Sequence, residues 1–144
     1  MRFSLTTVLT TLIVVAGASA AQADGDADAG AKVFKKCAAC HVADSDKNKV
    51  GPSLQNVIGR TAGTVEGFKY SKAMVEAGEG GLVWNDDTIG EFLKKPKDLV
   101  KGTKMSFAGL KKEDDIDNVI AYLEQFSAPA EGGEEAKSEG GTSQ

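Results

Sequence analysis

Cys37-Ala38-Ala39-Cys40-His41 holds both cysteines and the only histidine of this 144-residue chain. The pattern C-x-x-C-H is that of a covalent haem attachment site. On a helical turn, residues three apart share one face, which sets the two thiols about one turn apart with His41 adjoining. Two thiols so placed can bond the two vinyl groups of a haem while the imidazole reaches its iron. Each residue type has a separate task, and the chain holds no spare copy.

Other chemistries fit these residues less well. Structural zinc takes four ligands, and Cys37, Cys40 and His41 supply three. A thioredoxin-like dithiol accompanies a βαβ pattern, whereas nothing around Cys37 alternates like a strand. A disulfide between Cys37 and Cys40 would close a very short loop and stabilise little.

Toward the N-terminus, Arg2 precedes a largely apolar stretch over residues 5–17 and then Ala21-Gln22-Ala23. This is the pattern of a secretory signal peptide, residues 1–23, with cleavage after Ala23 and Ala20 as the alternative. The apolar run is shorter than the ~20 residues of a membrane span. At the other end, residues 128–144 are rich in Gly, Glu and Ser and lack any aromatic, Leu, Ile or Val. Such a segment buries too little surface to offset its ordering entropy, so a disordered acidic tail is expected. One domain without internal repeats remains, residues 24–127. A domain this small has a thin core. A buried macrocycle would enlarge it, and the haem-free chain is expected to fold poorly.

The formal charge is −4, but its distribution says more. Residues 92–112 contain Lys94, Lys95, Lys97, Lys101, Lys104, Lys111 and Lys112 against Asp98 alone. Acid gathers at Asp24, Asp26 and Asp28, at Glu113, Asp114, Asp115 and Asp117, and in the tail. A one-sided dipole of this kind steers a partner of opposite sign. With a pI of about 5.0 and few aromatics, nucleic acid is not an expected partner.

Helical spacing of Gly30, Phe34, Cys37 and His41 predicts a first helix over residues 27–40. Gly51-Pro52, Gly59 and Gly63 make residues 44–64 mostly loop. Ser71 caps a short helix ending at Gly78, and Asn85 caps another that stops before Pro96. Ile116, Val119, Ile120 and Leu123 mark a last helix over residues 112–126. Strand signal is nearly absent, and the expected fold is all-α with about four to five helices around one haem.

A low-spin carrier needs a sixth iron ligand in both oxidation states. With no second histidine, methionine or lysine must serve. Met1 leaves with the signal peptide, and Met74 falls in a helical pattern that suits core packing. Met105 sits in a loop between two helices and can either reach the haem or fill a gap in the core. Spacing alone leaves both open.

Cys37-Ala38-Ala39-Cys40-His41, Gly51-Pro52-Ser53-Leu54 and Gly102-Thr103-Lys104-Met105-Ser106-Phe107-Ala108-Gly109 together resemble the class I c-type cytochromes. The closest likeness is to the bacterial cytochrome c2 and mitochondrial cytochrome c group. It runs from about Gly30 to Phe126, with the motifs in the family's order. The resemblance implies one haem c per chain, covalent through Cys37 and Cys40, with His41 and Met105 as axial ligands, a pair that raises the reduction potential. It further implies that the Pro52 carbonyl orients the His41 ring, and that Arg60, Tyr70, Trp84 and Thr103 surround the haem propionates. Gly30 and Phe34 would cross the last helix at Val119 and Tyr122. Lys36, Lys97, Lys104, Lys111 and Lys112 would ring the exposed haem edge. Three positions depart from the mitochondrial pattern: Phe92 replaces a tyrosine, Met74 an asparagine and Lys101 a proline. Apolar replacement of both partners of a polar pair leaves neither unsatisfied.

The function so implied is a soluble, monomeric, periplasmic one-electron carrier and not an enzyme. It would shuttle electrons between membrane respiratory or photosynthetic complexes. The resemblance suggests a bc1-type donor, and an oxidase, reaction centre or reductase with an acidic docking face as acceptor. A haem peroxidase or gas sensor needs a displaceable sixth site and a polar distal group, and there is no distal histidine to supply one. A thiol–disulfide oxidoreductase would need Cys37 and Cys40 unmodified, which the mass of the mature protein tests.

Overall fold

The computed structural model describes residues 25–128. The expected signal peptide, and the expected tail apart from Ala128, lie outside the described residues. The order is α1 (Ala27–Phe34), α2 (Lys72–Glu79), α3 (Asp86–Lys94), α4 (Pro96–Leu99) and α5 (Glu113–Glu124). Among the described residues there is no sheet, only an isolated antiparallel bridge between Thr61 and Val83.

Local chemistry accounts for where each helix begins. The Asp26 carboxylate accepts from the N–H groups of Asp28 and Ala29 at the head of α1, using donors that the first turn leaves unpaired. Ser71 caps α2 through the N–H of Met74. Asn85 and Thr88 form a reciprocal capping box on α3. Glu113, Asp114 and Asp115 crowd the first turn of α5, where negative charge meets the positive end of the helix dipole.

Several boundaries differ from expectation: α2 runs one residue past Gly78, and α5 spans Glu113–Glu124 instead of residues 112–126. The first helix stops at Phe34 instead of running to Cys40, because the hydrogen bonding tightens there. Lys36 N donates to Val33 O at 3.0 Å, and Cys37 N to Phe34 O at 2.7 Å. Cys37–His41 is consequently a separate turn, closed by Cys40 N and His41 N on the Cys37 carbonyl at 3.0 and 2.9 Å. Pro96 ends α3 as expected, but it also starts α4, since its fixed φ suits a first helical position and its missing N–H is not needed there.

Packing rests on a crossing of α1 over α5, with α3 against α5 beside it. Gly30 faces the Asn118 carbonyl and Tyr122 of α5, and the rings of Phe34 and Tyr122 stack with centroids 5.0 Å apart. Ile116, Val119, Ile120 and Leu123 form the buried stripe of α5, matching their i, i+3, i+4, i+7 spacing. Lys94 Nζ bridges α3 to α5 through Glu113 at 2.9 Å, an exposed pair that contributes little. Phe34, Ile89, Phe92, Leu93, Val119 and Leu123 all belong to the core and all face an internal cavity.

Candidate functional site

The cavity has a volume of about 300 Å³, the lower end of the range for small-molecule sites. Cys37, Cys40, His41, Pro52, Arg60, Tyr70, Trp84, Thr103 and Met105 all line it. Residues spread over most of the domain's sequence thus meet around one volume.

On one side stands His41, buried to 9% exposure. Its Nδ1 donates to the Pro52 carbonyl at 2.8 Å, which fixes the neutral tautomer with its lone pair on Nε2. Burial pushes the pKa of His41 below the ordinary histidine value. The Pro52 hydrogen bond opposes this, and the nearby Lys49 cation adds to it. The ring is held as a neutral nitrogen donor. Gly51 N donates to Cys40 O at 2.8 Å, and Gly51 sits so close to the imidazole that a Cβ there would overlap it. Cys37 is half-buried and Cys40 exposed at the rim. Burial raises the Cys37 pKa, with the neighbouring Lys36 partly offsetting it.

Met105 lines the same cavity from the loop after α4. Its N–H donates to Thr103 Oγ1 at 3.2 Å, so the Thr103 hydroxyl closes a small turn at the base of this loop. Met74 and Phe92 also line the cavity. Phe92 packs on Trp84, with ring centroids 5.1 Å apart.

The polar end is built around Arg60. Its guanidinium donates to the carbonyls of Gln55 and Ser53, each at 2.9 Å, and has no carboxylate within 4 Å among the described residues. Burial pushes its pKa down, and Tyr70 opposes that. Trp84 N donates to Arg60 O at 2.9 Å, so the short pairing about Thr61 and Val83 ties the two backbones together, and both residues line the cavity. The indole N–H has no partner among the described residues. Tyr70 Oη is 3.4 Å from the Val65 N–H, and burial raises its pKa. Replacing Arg60 by leucine is expected to lower stability by about 2 kcal/mol, because two inward carbonyls lose their donors. Thermal melting of the haem-loaded protein checks this, and an unshifted midpoint would refute it.

Lys36, Arg60, Lys69 and Lys104 line the cavity, and no carboxylate does. Sequence reasoning singled out Lys36, Arg60 and Lys104 and missed Lys69, which stands beside Tyr70 with nothing local to distinguish it from other exposed lysines. Lys97, Lys111 and Lys112 are exposed but do not line the cavity.

The site fits a haem. A neutral imidazole nitrogen and a thioether face the same apolar space. Two thiols stand at its rim. A partly buried guanidinium and an unpartnered indole N–H match the two carboxylates that a haem carries.

A cytochrome c family model matches residues 27–127. Cytochrome c2 of Afifella marina is 56% identical over 99 residues, covering 68% of this chain and 80% of that protein. Cytochrome c2 of Rhodoblastus acidophilus is 52% identical over 105 residues, covering 72% and 95%. Among solved structures, cytochrome c2 from Rhodospirillum centenum superposes with a TM-score of 0.70 at 42% identity, covering 72% of this chain and all of that one. With its cavity, its C-x-x-C-H turn and these likenesses, the chain belongs to the cytochrome c family, an electron carrier rather than an enzyme, with haem c bound covalently through Cys37 and Cys40.

Proposed function

We propose that the chain is a periplasmic shuttle whose iron is ligated by His41 and Met105. The observation that carries this reading is the meeting of His41 and Met105 on one apolar cavity. Bound haem would supply a metal that takes up and releases one electron. The Pro52 carbonyl holds the His41 ring in place, and Thr103 anchors the Met105 backbone, so neither ligand has to move between oxidation states. Arg60, Tyr70, Trp84 and Thr103 are the polar groups placed to receive the propionates. Apolar walls from Phe34, Phe92 and Leu123 exclude water from the centre.

Residues 1–23 act as the export signal in this reading, residues 24–127 as the haem domain and residues 128–144 as an acidic tail. Among the described residues no helix is long and apolar enough to cross a membrane. A monomer exposing one haem edge would take electrons from a bc1-type complex and deliver them to an oxidase, reaction centre or reductase. Cations at the cavity rim, unaccompanied by carboxylates, suit a partner with an acidic face and give weak, salt-sensitive docking.

Replacing Met105 by alanine is expected to abolish the red-region sulfur-to-iron band of the oxidised protein while leaving both covalent links intact. Optical spectra, with alkaline pyridine treatment to count the links, check this. Persistence of that band would remove Met105 from the ligand set. Rates with a bc1-type complex are expected to fall steeply as salt rises.

A further inference from the structure

The cytochrome c family match ends at residue 127. Beyond it, residues 129–144 hold Glu131, Glu134, Glu135 and Glu139 against Lys137 alone. The point from which this segment leaves the domain is fixed. Ser127 Oγ accepts from Ile58 N at 3.2 Å and donates to Leu123 O at 3.3 Å. Ala128 N donates to Asn56 Oδ1 at 3.0 Å, and Asn56 N donates to Phe126 O at 2.9 Å. Leu54 and Val57, on either side of Asn56, line the haem cavity. The segment is thus rooted beside the cavity whose rim carries Lys36, Lys69 and Lys104 and no carboxylate. Lys36 is already paired with Asp115 at 3.6 Å. Lys69 and Lys104 have no carboxylate within 4 Å among the described residues.

We propose that this acidic tail occupies the Lys69 and Lys104 side of the cavity rim of its own chain, and competes there with a carboxylate-bearing redox partner. The inference rests on the carrier reading above and adds a built-in competitor to its docking face. Reach is sufficient. Glu139 stands eleven residues beyond Ala128, and a chain spans up to about 3.6 Å per residue, or about 40 Å over that stretch. A domain of this size has a radius of gyration of only about 13 Å. Attachment to the same chain also keeps the carboxylates at a high local concentration that dilution does not lower. Each exposed carboxylate–lysine pair contributes little, so the tail holds the rim part of the time and yields to a partner. A rim free for between a half and a fifth of the time raises the apparent KM about twofold to fivefold.

The test is steady-state reduction of the haem-loaded full chain by a purified bc1-type complex, at low and at high salt. Glu131→Gln, Glu134→Gln, Glu135→Gln and Glu139→Gln combined are expected to lower KM about twofold to fivefold at low salt with kcat unchanged. The difference vanishes at high salt. A water-soluble carbodiimide, which joins a carboxylate to an amine in contact with it, is expected to link tail glutamates of the parent chain to Lys69 or Lys104. Peptide mapping of the monomer fraction reads these links. A parental KM for the glutamine variant, with a rate that still falls as salt rises, overturns the tail contact and leaves the docking face standing. A salt-insensitive rate, with Lys104→Gln also unchanged, overturns the basic docking face itself. A lowered KM without links to Lys69 or Lys104 overturns the inference by tracing the effect to net charge acting at a distance. Links confined to covalent dimers overturn it too, since the tail would then sit on a second copy.

Discussion

Replacing Gly51 by alanine is expected to abolish normal haem ligation. A Cβ at this position would stand 2.7 Å from both ring nitrogens of His41 and still nearer its Cε1. Carbon atoms do not pack that closely, so either the imidazole or the backbone must move. The ring is buried and tied to the Pro52 carbonyl at 2.8 Å. Moving it breaks that bond, strands the carbonyl at a cost of about 1–3 kcal/mol, and turns Nε2 away from the cavity. The backbone has little room either, because Gly51 N is bonded to Cys40 O. At least a tenfold lower yield of low-spin protein is expected, read from the spectrum of the reduced form. Gly59→Ala is the control. Nothing lies within 4 Å of a Cβ there, although φ is +83°, so it costs only about 1–2 kcal/mol in left-handed strain. A parental spectrum for Gly51→Ala would show that the ring can relocate without loss.

The second large effect is expected at Gly30. A Cβ on Gly30 would collide with the Asn118 carbonyl, 2.6 Å from its carbon, and lie 2.8 Å from Tyr122 Cβ. The obstacle is mainly the backbone of α5, which cannot rotate aside. Gly30→Val must push α1 away from α5. That separation weakens the Phe34–Tyr122 ring contact and the hydrogen bond from Asp26 N to Asn118 Oδ1 at 2.6 Å. A loss of about 3 kcal/mol or more is expected, lowering the melting temperature by at least about 12 °C. Molecules that still fold should keep a parental spectrum, since His41 and Met105 are not touched. A melting temperature within about 3 °C of the parent would refute the close crossing. Together the two glycines separate defects of ligation from defects of packing.

Much of this molecule is legible in local sequence. Cys37-Ala38-Ala39-Cys40-His41 carries its chemistry within five residues. Ser71 and Asn85 announce helix starts because a capping side chain acts on an N–H only a few residues away. The stripe of α5 shows itself through a period of 3.6. The end of α1 was less legible: its apolar spacing continues to His41, while the tightening of the hydrogen bonds after Phe34 leaves no mark on residue type.

By itself the sequence determined the attachment motif, the helical class and the capped starts of α2 and α3, since each depends on residues at most a few positions apart. Tertiary structure alone decided that Gly51 lies against the His41 ring, that Arg60 is held by the Gln55 and Ser53 carbonyls, and that Lys69 and Val50 share the cavity rim. The physical reason is that these loops are placed by backbone hydrogen bonds across long separations, such as Asn56 N to Phe126 O at 2.9 Å. Almost any residue can make such a bond, so no residue type records it.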